Sequence, residues 1–267
     1  MRLVAIGVVL AVLALPTAVR SGPADTDSNM DDAAMGDRLF LSPQRRQVEA
    51  PLDDSHSQLL TQPPSLDTSP FPLHGGETIT VVFFAHLMPN WEPFVTGYLT
   101  NLTACGLTGA ATTVHVFISV KDQRFASRLQ EGVEAVQRLL PGANVKLDSR
   151  AANMWEYPGI ELVHRYGLAN PSRDHYILYF HAKGIKRRRA EPQLFNAVVG
   201  NWRGVIDVFR RREDVNKIGL LASDVGFFWF NFWWTRGSVV SHTLTPMRYP
   251  DDRHYFMGWL ALRRCGT

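Results

Sequence analysis

Four strand-like segments, three of them apolar and rich in β-branched and aromatic residues and one shorter and more polar, alternate with segments of helical periodicity, and this alternation restricts the fold more than any other feature. The four read TITVVFFAH (78–86), TVHVFISV (113–120), ANVKLD (143–148) and HYILYF (175–180). Runs of this length and composition predict buried strands. Strands that alternate with helices form a mainly parallel sheet with helices on both faces, because each parallel connection must cross over the sheet. The sequence therefore predicts an α/β fold.

Helix signals fill the segments between the predicted strands. Asn90 suits the N-cap of a first helix, Gly106 suits its C-terminal cap, and a periodic apolar stripe marks a second helix over 125–140. Further helices are predicted over 158–168 and 192–212, and further strands over 215–223 and 227–234, the last reading FFWFNFWW. Ligands of open sheets of this kind bind outside the carboxyl ends of the strands, so a site is expected there.

Composition divides the chain into three parts. Residues 1–21 join a basic Arg2 to an apolar run that ends at Pro16, which predicts a secretory signal peptide; an uncleaved signal anchor in the membrane is the alternative. Residues 22–75 are rich in Asp, Ser, Pro and Gln and predict a disordered stem, with part of it folding back onto the domain as the alternative. The domain itself is predicted over 76–267. Both alternatives for the leader predict the secretory pathway, in the Golgi lumen or secreted.

Charge, cysteines and missing motifs narrow the function. A net charge of +3 gives no argument for nucleic acid as a partner. Cys105 and Cys265 could pair in an oxidising compartment, but two cysteines do not make a disulfide framework. Asn101 begins an Asn-Leu-Thr sequon for N-glycosylation. The sequence has no P-loop, no zinc-ligand spacing and no Gly-x-Ser-x-Gly elbow, so hydrolase and dehydrogenase interpretations have little support.

Chemically active side chains stand at the ends of predicted strands. His181, Lys183 and Gly184 follow one strand, and His86 and Asp148 end two others. An imidazole and an ammonium can both donate to phosphate oxygens, and a glycine lets the backbone approach a ligand closely. The alternative is a histidine satisfied by the backbone, a solvated lysine, and a glycine that the turn requires.

Three other groups could take part in chemistry. Arg203, on the predicted long helix, could bind a phosphate or carboxylate, or form a surface ion pair. Asn231 interrupts the aromatic run and, with one or two neighbouring rings, could line a pocket, although most of those rings are expected in the core. Asp251 and Asp252 could supply a catalytic base or cap a helix.

These segments resemble glycosyltransferase-like proteins of the GT-A type. Members of that family carry a strand end lyYlHtKG, a WR helix and a GNFWWar strand. This chain has ILYFHAKG at 177–184, NWRG at 201–204 and FNFWWTR at 230–236. WEYPGIELV at 155–163 is similar to the family's helix start yEyPtL, and the first strand and helix are similar as far as CGL at 105–107.

The resemblance implies a nucleotide-sugar fold that transfers a sugar from a nucleotide-sugar donor to a glycan or protein acceptor. In related folds this strand ends in Asp-x-Asp and holds a divalent metal. His181-Ala182-Lys183 stands there instead, which makes a divalent metal doubtful and lets cationic side chains neutralise the diphosphate. The residues implied on the donor side are His86, Asp148, His181, Lys183, Gly184 and Arg203; those implied on the acceptor side are Asn231, Trp233 and Trp234. Asp252 or Asp251 is the candidate base.

The chain departs from the family pattern at two positions. Phe230 stands where the family has glycine, and Met257 stands where the family has a glutamate two residues before Trp259. If that glutamate is the base, this chain lacks it unless one of the nearby aspartates substitutes. The alternative function is therefore a catalytically inactive carbohydrate- or anion-binding protein that retains the fold. A third interpretation is a surface-interaction protein whose cations at 186–189 bind anionic lipid or sulfated glycan.

Overall fold

Six strands in the described residues form one mixed sheet in the order β3–β2–β1–β4–β6–β5. The structure is a computed structural model, and it describes residues 71–182, 192–220, 228, 231–248 and 255–262. The strands are β1 (Thr78–His86), β2 (Thr113–Val120), β3 (Val145–Ala151), β4 (His175–His181), β5 (Lys217–Gly219) and β6 (Trp233–Arg236). The first four run parallel, whereas β6 is antiparallel to both β4 and β5. The predicted α/β class is confirmed.

Helices connect the strands and cover the sheet. In the described ranges they are α1 (Glu92–Ala104), α2 (Leu107–Ala110), α3 (Ala126–Leu139), α4 (Tyr157–Ala169), α5 (Pro192–Phe195), α6 (Trp202–Arg211), α7 (Gly237–Val240) and α8 (Tyr255–Gly258). A π-helical turn, Asn196–Gly200, separates α5 from α6. Short 3₁₀ turns occur at Gln123–Phe125 and Trp259–Ala261. Apart from the π-helical interruption, the predicted helices are present. The predicted N-cap is wrong, because Trp91 is the N-cap of α1 and Asn90 has a left-handed φ of 64°; α2 and α7 are not predicted.

Each face of the sheet carries its own apolar core. In β1, Val81 and Phe83 belong to one core and Val82 and Phe84 to the other, because successive side chains of a strand point to opposite faces. α1, α3 and α6 pack on the first face, and α4 packs on the second. A strand buried on both faces needs apolar residues at every position, which is why these strands are continuous apolar runs in the sequence.

The later strands match the sequence prediction less well. Of the described residues 215–220, three form β5, and β6 begins at Trp233, near the end of the run 227–234. β3 ends later than predicted, since it continues past Asp148 to Ala151. Strand propensity records how well a residue fits a pleated surface, whereas the length of a strand depends on the partner available for pairing.

The folded domain includes residues that the sequence assigns to the stem. The ring of Phe71 meets that of Trp202 edge to face, with centroids 4.9 Å apart, and the Pro72 carbonyl accepts a 2.8 Å hydrogen bond from Arg210. The sequence assigns residues 71–75 to the stem, and these contacts agree with the alternative in which part of the stem folds back onto the domain. The predicted leader at 1–21 and the rest of the stem lie outside the described residues. Of the helices that the structure describes, none is both long and apolar enough to cross a membrane.

Candidate functional site

β1 and β4 meet where the strand order reverses. The chain continues from β1 to β2 and β3 on one side and returns as β4 on the other. Ligands of open α/β sheets bind at the carboxyl ends of the strands beside such a switch point. Phe84 of β1 pairs with His181 of β4, and His86 follows Phe84 by two residues. Because side chains two residues apart share a face, both histidines lie on the α4 side of this edge.

A carboxylate, Glu156, gathers three polar side chains at this edge. Tyr179 Oη donates a 3.1 Å hydrogen bond to Glu156 Oε2, and Asn231 Nδ2 donates a 2.6 Å hydrogen bond to the same oxygen. Glu156 Oε1 lies 3.9 Å from His181 Nδ1, which is an ion-pair distance and too long for a hydrogen bond. Glu156, Tyr179, His181 and Asn231 are referred to below as the Glu156 cluster.

The local sequence places Glu156 at the start of α4. It precedes Tyr157 and adopts φ −91° and ψ 0°, a backbone region in which many active-site residues occur. Pro158 lies in the first turn, where a missing N–H costs nothing. Gly159 admits the tyrosine ring, because a Cβ there would lie 2.7 Å from Tyr179 Cε2. The sequence Glu-Tyr-Pro-Gly therefore starts the helix and also leaves room for the ring that holds the carboxylate.

Burial separates the cluster into supporting and accessible members. Tyr179 and Asn231 are buried, whereas the side chains of Glu156 and His181 keep 23% and 16% of their surface exposed. Burial raises the pKa of Tyr179 well above its usual value, and the Glu156 carboxylate raises it further. Tyr179 is therefore a neutral donor at physiological pH. The result is a carboxylate with one oxygen held by two buried donors and the other oxygen facing an imidazole near solvent.

Backbone strain is concentrated at the same edge. Asn231 has a left-handed φ of 51°, a conformation that asparagine tolerates better than most residues. The other non-glycine residues with positive φ in the described ranges are Asn90, at 64°, and Trp155, at 47°. Asn90 follows β1, Trp155 follows β3, and Asn231 lies beside the end of β4. Strained residues cluster at functional sites, so their position supports this edge as a site.

His86 makes a contact with the neighbouring strand. Its Nδ1 lies 2.9 Å from Ser119 Oγ, and the two residues pair at the ends of β1 and β2. Burial lowers the pKa of His86, and the positive charge of Arg128 lowers it further. A neutral imidazole is therefore favoured at physiological pH. His86 can exchange hydrogen bonds with a ligand at this edge but does not supply a positive charge.

Asp148 lies in the same row across the sheet as Phe117, Phe84 and His181, at the β3 end of that row. It pairs with Phe117 inside β3 and is not the end of the strand. Its Oδ2 lies 2.8 Å from His115 Nε2, and His115 Nδ1 lies 3.0 Å from Tyr166 Oη. Three strand spacings, ~14 Å, separate β3 from β4. Asp148 therefore belongs to a polar group with His115, three strands from His181, and its place near the nucleotide stays a prediction.

Arg203 lies toward the opposite edge of the sheet. Its guanidinium carbon is 4.9 Å from the centre of the Trp202 ring and 5.4 Å from that of Phe71. Trp202 Nε1 donates a 2.9 Å hydrogen bond to the Cys105 carbonyl. Phe71 and Cys105 belong to the segments that lead into the amino ends of β1 and β2. The expected contact of Arg203 with a diphosphate beside His181 is therefore corrected, because Arg203 lies near the amino ends of the strands and His181 lies at a carboxyl end.

Trp233 and Trp234 are core residues rather than exposed platforms. Both are buried, and they serve opposite faces of the sheet. The Trp233 ring centroid lies 5.1 Å from that of Tyr179, and Trp234 Nε1 donates a 2.7 Å hydrogen bond to the Val198 carbonyl. A sugar cannot stack on a ring that is already covered. Of the three residues implied on the acceptor side, only Asn231 joins the cluster.

Several residues singled out by sequence lie outside the described residues: Lys183, Gly184, Asp251, Asp252, Phe230 and Cys265. Cys105 is buried, and its Sγ donates a 3.3 Å hydrogen bond to the Leu102 carbonyl. Asn101, the first residue of the sequon, is exposed on α1. Met257 lies in α8 and is partly buried.

Sequence reasoning does not single out Glu156 or Tyr179 as functional. The signal for Glu156 is topological: it starts the helix that follows a parallel strand, so it must lie near the carboxyl edge. The signal for Tyr179 is its spacing, because it precedes His181 by two residues and shares its face. Neither signal identifies the hydrogen bond between them, which depends on how α4 packs on the sheet.

The chemistry of the site is that of a polar edge with one carboxylate. Across the described ranges, no group of three His, Cys, Asp or Glu side chains is close enough together to hold a metal ion. Comparison of the chain with protein-family models and with curated protein sequences finds no match. The function is therefore inferred from the Glu156 cluster and from the sequence motifs.

Proposed function

We propose that the chain is a GT-A-like glycosyltransferase of the secretory pathway that transfers a sugar from a nucleotide sugar to a glycan or protein. One observation carries the proposal: three of the motifs behind the resemblance converge in the Glu156 cluster. The segment at 155–163 supplies Glu156, that at 177–184 supplies Tyr179 and His181, and that at 230–236 supplies Asn231. Because these segments are distant in the chain, their contact at a switch point is a property of the fold.

The composition of the cluster favours a ligand site over a purely structural role. A partly buried carboxylate loses hydration, and apolar side chains of similar volume would usually stabilise a core equally well. Tyr179 and Asn231 compensate for that loss at one carboxylate oxygen only. The second oxygen and the imidazole of His181 are left side by side at the accessible edge, where they can act on a ligand.

His181 is the residue that we assign to the leaving group. Its Nδ1 faces the Glu156 carboxylate, and a carboxylate in that position favours a positively charged imidazole. Nε2, at the other side of the ring, donates a charge-assisted hydrogen bond to a diphosphate oxygen in this scheme. Glu156 is then a positioning residue, because it fixes the orientation and charge of His181 rather than contacting the diphosphate.

The proposed reaction is a displacement at the anomeric carbon. The acceptor oxygen forms a bond to that carbon, the bond from the carbon to the diphosphate breaks, and its electrons leave with the diphosphate. His181 neutralises the charge that develops there, and His86 is assigned to the nucleotide. The resemblance assigns Lys183 and Gly184 to the same diphosphate and Asp252, or Asp251, to the acceptor proton; those four lie outside the described residues.

The scheme uses protein side chains in place of a metal ion. The cluster contains one carboxylate, and one of its oxygens is already held by two donors, whereas Mg²⁺ sites need carboxylate oxygens open to the ion. We therefore expect nucleotide-sugar binding to persist in the presence of a chelator. A strict requirement for a divalent metal would overturn this part of the proposal.

The test is a panel of UDP- and GDP-linked sugars, assayed with the full chain for binding, hydrolysis and transfer. We expect one donor to be used and His181→Ala to reduce the rate by about 10²-fold. In Glu156→Gln, the negative charge that faces His181 is lost, so the rate should fall, though by less than in His181→Ala. Glu161→Gln is the matched control on the same helix, since Glu161 accepts its 2.9 Å bond from Tyr157 and lies outside the cluster.

The outcomes separate the alternatives. Binding of a nucleotide sugar without hydrolysis or transfer would favour the inactive carbohydrate-binding protein. A rate that is unchanged in His181→Ala would remove the assigned role of the cluster. Failure of every donor to bind would overturn the proposed function itself.

A further inference from the structure

Trp155 is an exposed aromatic residue next to the Glu156 cluster. It precedes Glu156 in the chain and keeps 44% of its surface exposed. It is the one aromatic residue among the exposed large hydrophobic side chains of the described ranges, the others being Leu168, Leu244, Met247 and Leu262. An exposed indole offers a large apolar face together with an N–H donor next to the polar side chains of the cluster.

The backbone at Trp155 is unfavourable for its side chain. Its φ of 47° lies in the left-handed region, where a bulky residue is a rare outlier. The turn does not depend on the indole ring. Met154 is buried and its carbonyl accepts a 3.1 Å hydrogen bond from the Tyr157 N–H, and Asn153 Oδ1 accepts a 3.3 Å bond from the Trp155 N–H. Asparagine or glycine would hold the same turn with less strain.

We infer that Trp155 is the platform on which a sugar ring stacks when carbohydrate occupies the site. A tryptophan face binds the apolar C–H face of a pyranose, while the hydroxyl groups at the ring's edge reach polar side chains. Trp155 and Glu156 are consecutive residues, with Cα atoms about 3.8 Å apart, so the indole and the carboxylate extend from the same turn at the start of α4. The inference depends on the proposed function, because it assumes that the ligand is a carbohydrate.

This platform replaces the one that the sequence predicts. Trp233 and Trp234 are covered on both sides by the core, whereas Trp155 presents its ring to solvent at the same edge. The sugar on Trp155 can belong to the donor or to the acceptor, and the two differ in what they carry. A donor sugar brings the diphosphate to His181, and an acceptor sugar brings only hydroxyl groups.

The experiment measures binding of two sets of probes to the full chain by calorimetry. One set contains the UDP- and GDP-linked sugars, and the other contains neutral oligosaccharides such as lactose, cellobiose and mannobiose. Trp155→Ala is expected to weaken one set by about tenfold and to leave the other unchanged, which identifies the sugar on the platform. Trp155→Tyr, which keeps a ring, should recover part of the affinity.

Two further variants keep the result interpretable. Trp155→Asn suits the left-handed backbone, so it should fold at least as well as the wild type, with an unchanged or higher melting temperature, yet bind as weakly as Trp155→Ala. Leu168→Ala removes an equally exposed apolar side chain from the far end of α4 and should bind normally. Wild-type affinity in Trp155→Asn for both probe sets, with the protein still binding carbohydrate, overturns the platform alone. Failure of the wild type to bind either set overturns the proposed function and the platform together.

Discussion

Replacing Tyr179 by phenylalanine tests whether the Glu156 cluster is built as described. The substitution removes one hydroxyl and keeps the ring that packs on Trp233 and Gly159. In the wild type this hydroxyl donates to a carboxylate, so its loss removes a hydrogen bond to a charged group. In a Glu156→Ala background the same hydroxyl has lost that acceptor and is buried. Tyr179→Phe should therefore lower the free energy of unfolding when residue 156 is glutamate and raise it when residue 156 is alanine.

The magnitude follows from the contacts. A hydrogen bond to a charged group stabilises by about 1.5–3 kcal/mol. Glu156 keeps its shorter bond from Asn231 and is partly exposed, so we expect the lower end, about 1.5 kcal/mol, or a fall in melting temperature of about 3–6 °C for a domain of this size. In Glu156→Ala, removing a buried hydroxyl that has lost its acceptor should instead stabilise by about 1 kcal/mol.

The assay is urea unfolding of the four proteins of this double-mutant cycle, with unchanged m-values as the check that the denatured states are comparable. Tyr157→Phe is the control, because its hydroxyl donates to Glu161 on the surface of the same helix and should cost the same in both backgrounds. The raised pKa of Tyr179 means that the result should not vary between neutral pH and pH 9. Equal effects of Tyr179→Phe in the two backgrounds, within about 0.5 kcal/mol, would refute the cluster.

Three other predictions concern stability around the site and at the far edge. Gly159→Ala should destabilise by about 1–3 kcal/mol in thermal unfolding, since its Cβ would meet the Tyr179 ring at 2.7 Å; an unchanged melting temperature would show that the ring can move. Trp155→Asn should stabilise by about 1 kcal/mol in urea unfolding by relieving the left-handed strain, and a loss of stability would mean that the indole is structural. Arg210 lowers the pKa of the buried Glu77 carboxyl to about 2, which adds up to about 3 kcal/mol of stability that is present above pH 4.5 and lost as pH falls toward 2. Acid unfolding of Glu77→Gln should therefore be shallower than that of the wild type, and parallel curves would contradict the assignment.

β1, β2 and β4 could be predicted because they are buried on both faces. The runs around Val81, Val116 and Leu178 contain few polar positions, and their lengths match the pairing partners that parallel topology provides. Ser149 and Arg150 extend β3 although they are polar, because β2 offers backbone partners as far as Val120. Sequence patterns therefore predict strand residues whose side chains are buried, but they miss polar residues, such as those at the end of β3, that join a strand only through backbone hydrogen bonds.

The candidate site could be predicted only in part, for a related reason. His181 and His86 follow from the rule that strand ends gather at one edge, and both lie there. The same rule cannot place Arg203, because Arg203 lies on a helix and the sequence does not show which end of the strands that part of the helix packs against. Glu156 becomes visible only when α4 is packed on the sheet and the Gly159 contact brings the tyrosine within reach.

Asn231 shows how an aromatic run can serve a polar site. Its neighbours Phe232 and Trp233 are buried on opposite faces of the sheet, and this packing fixes the backbone on one side of the asparagine. With that segment anchored, the left-handed φ of Asn231 directs its amide to a carboxylate 75 positions earlier in the chain. Replacing Asn231 by leucine would therefore remove one hydrogen-bond donor to Glu156 and place a bulky apolar side chain on a left-handed backbone. Asn231→Gly would remove the same donor but would adopt the left-handed conformation without strain. A larger loss of stability in the leucine variant, with equal loss of nucleotide-sugar binding in both, is the pattern expected if the core holds the backbone and the amide holds the carboxylate.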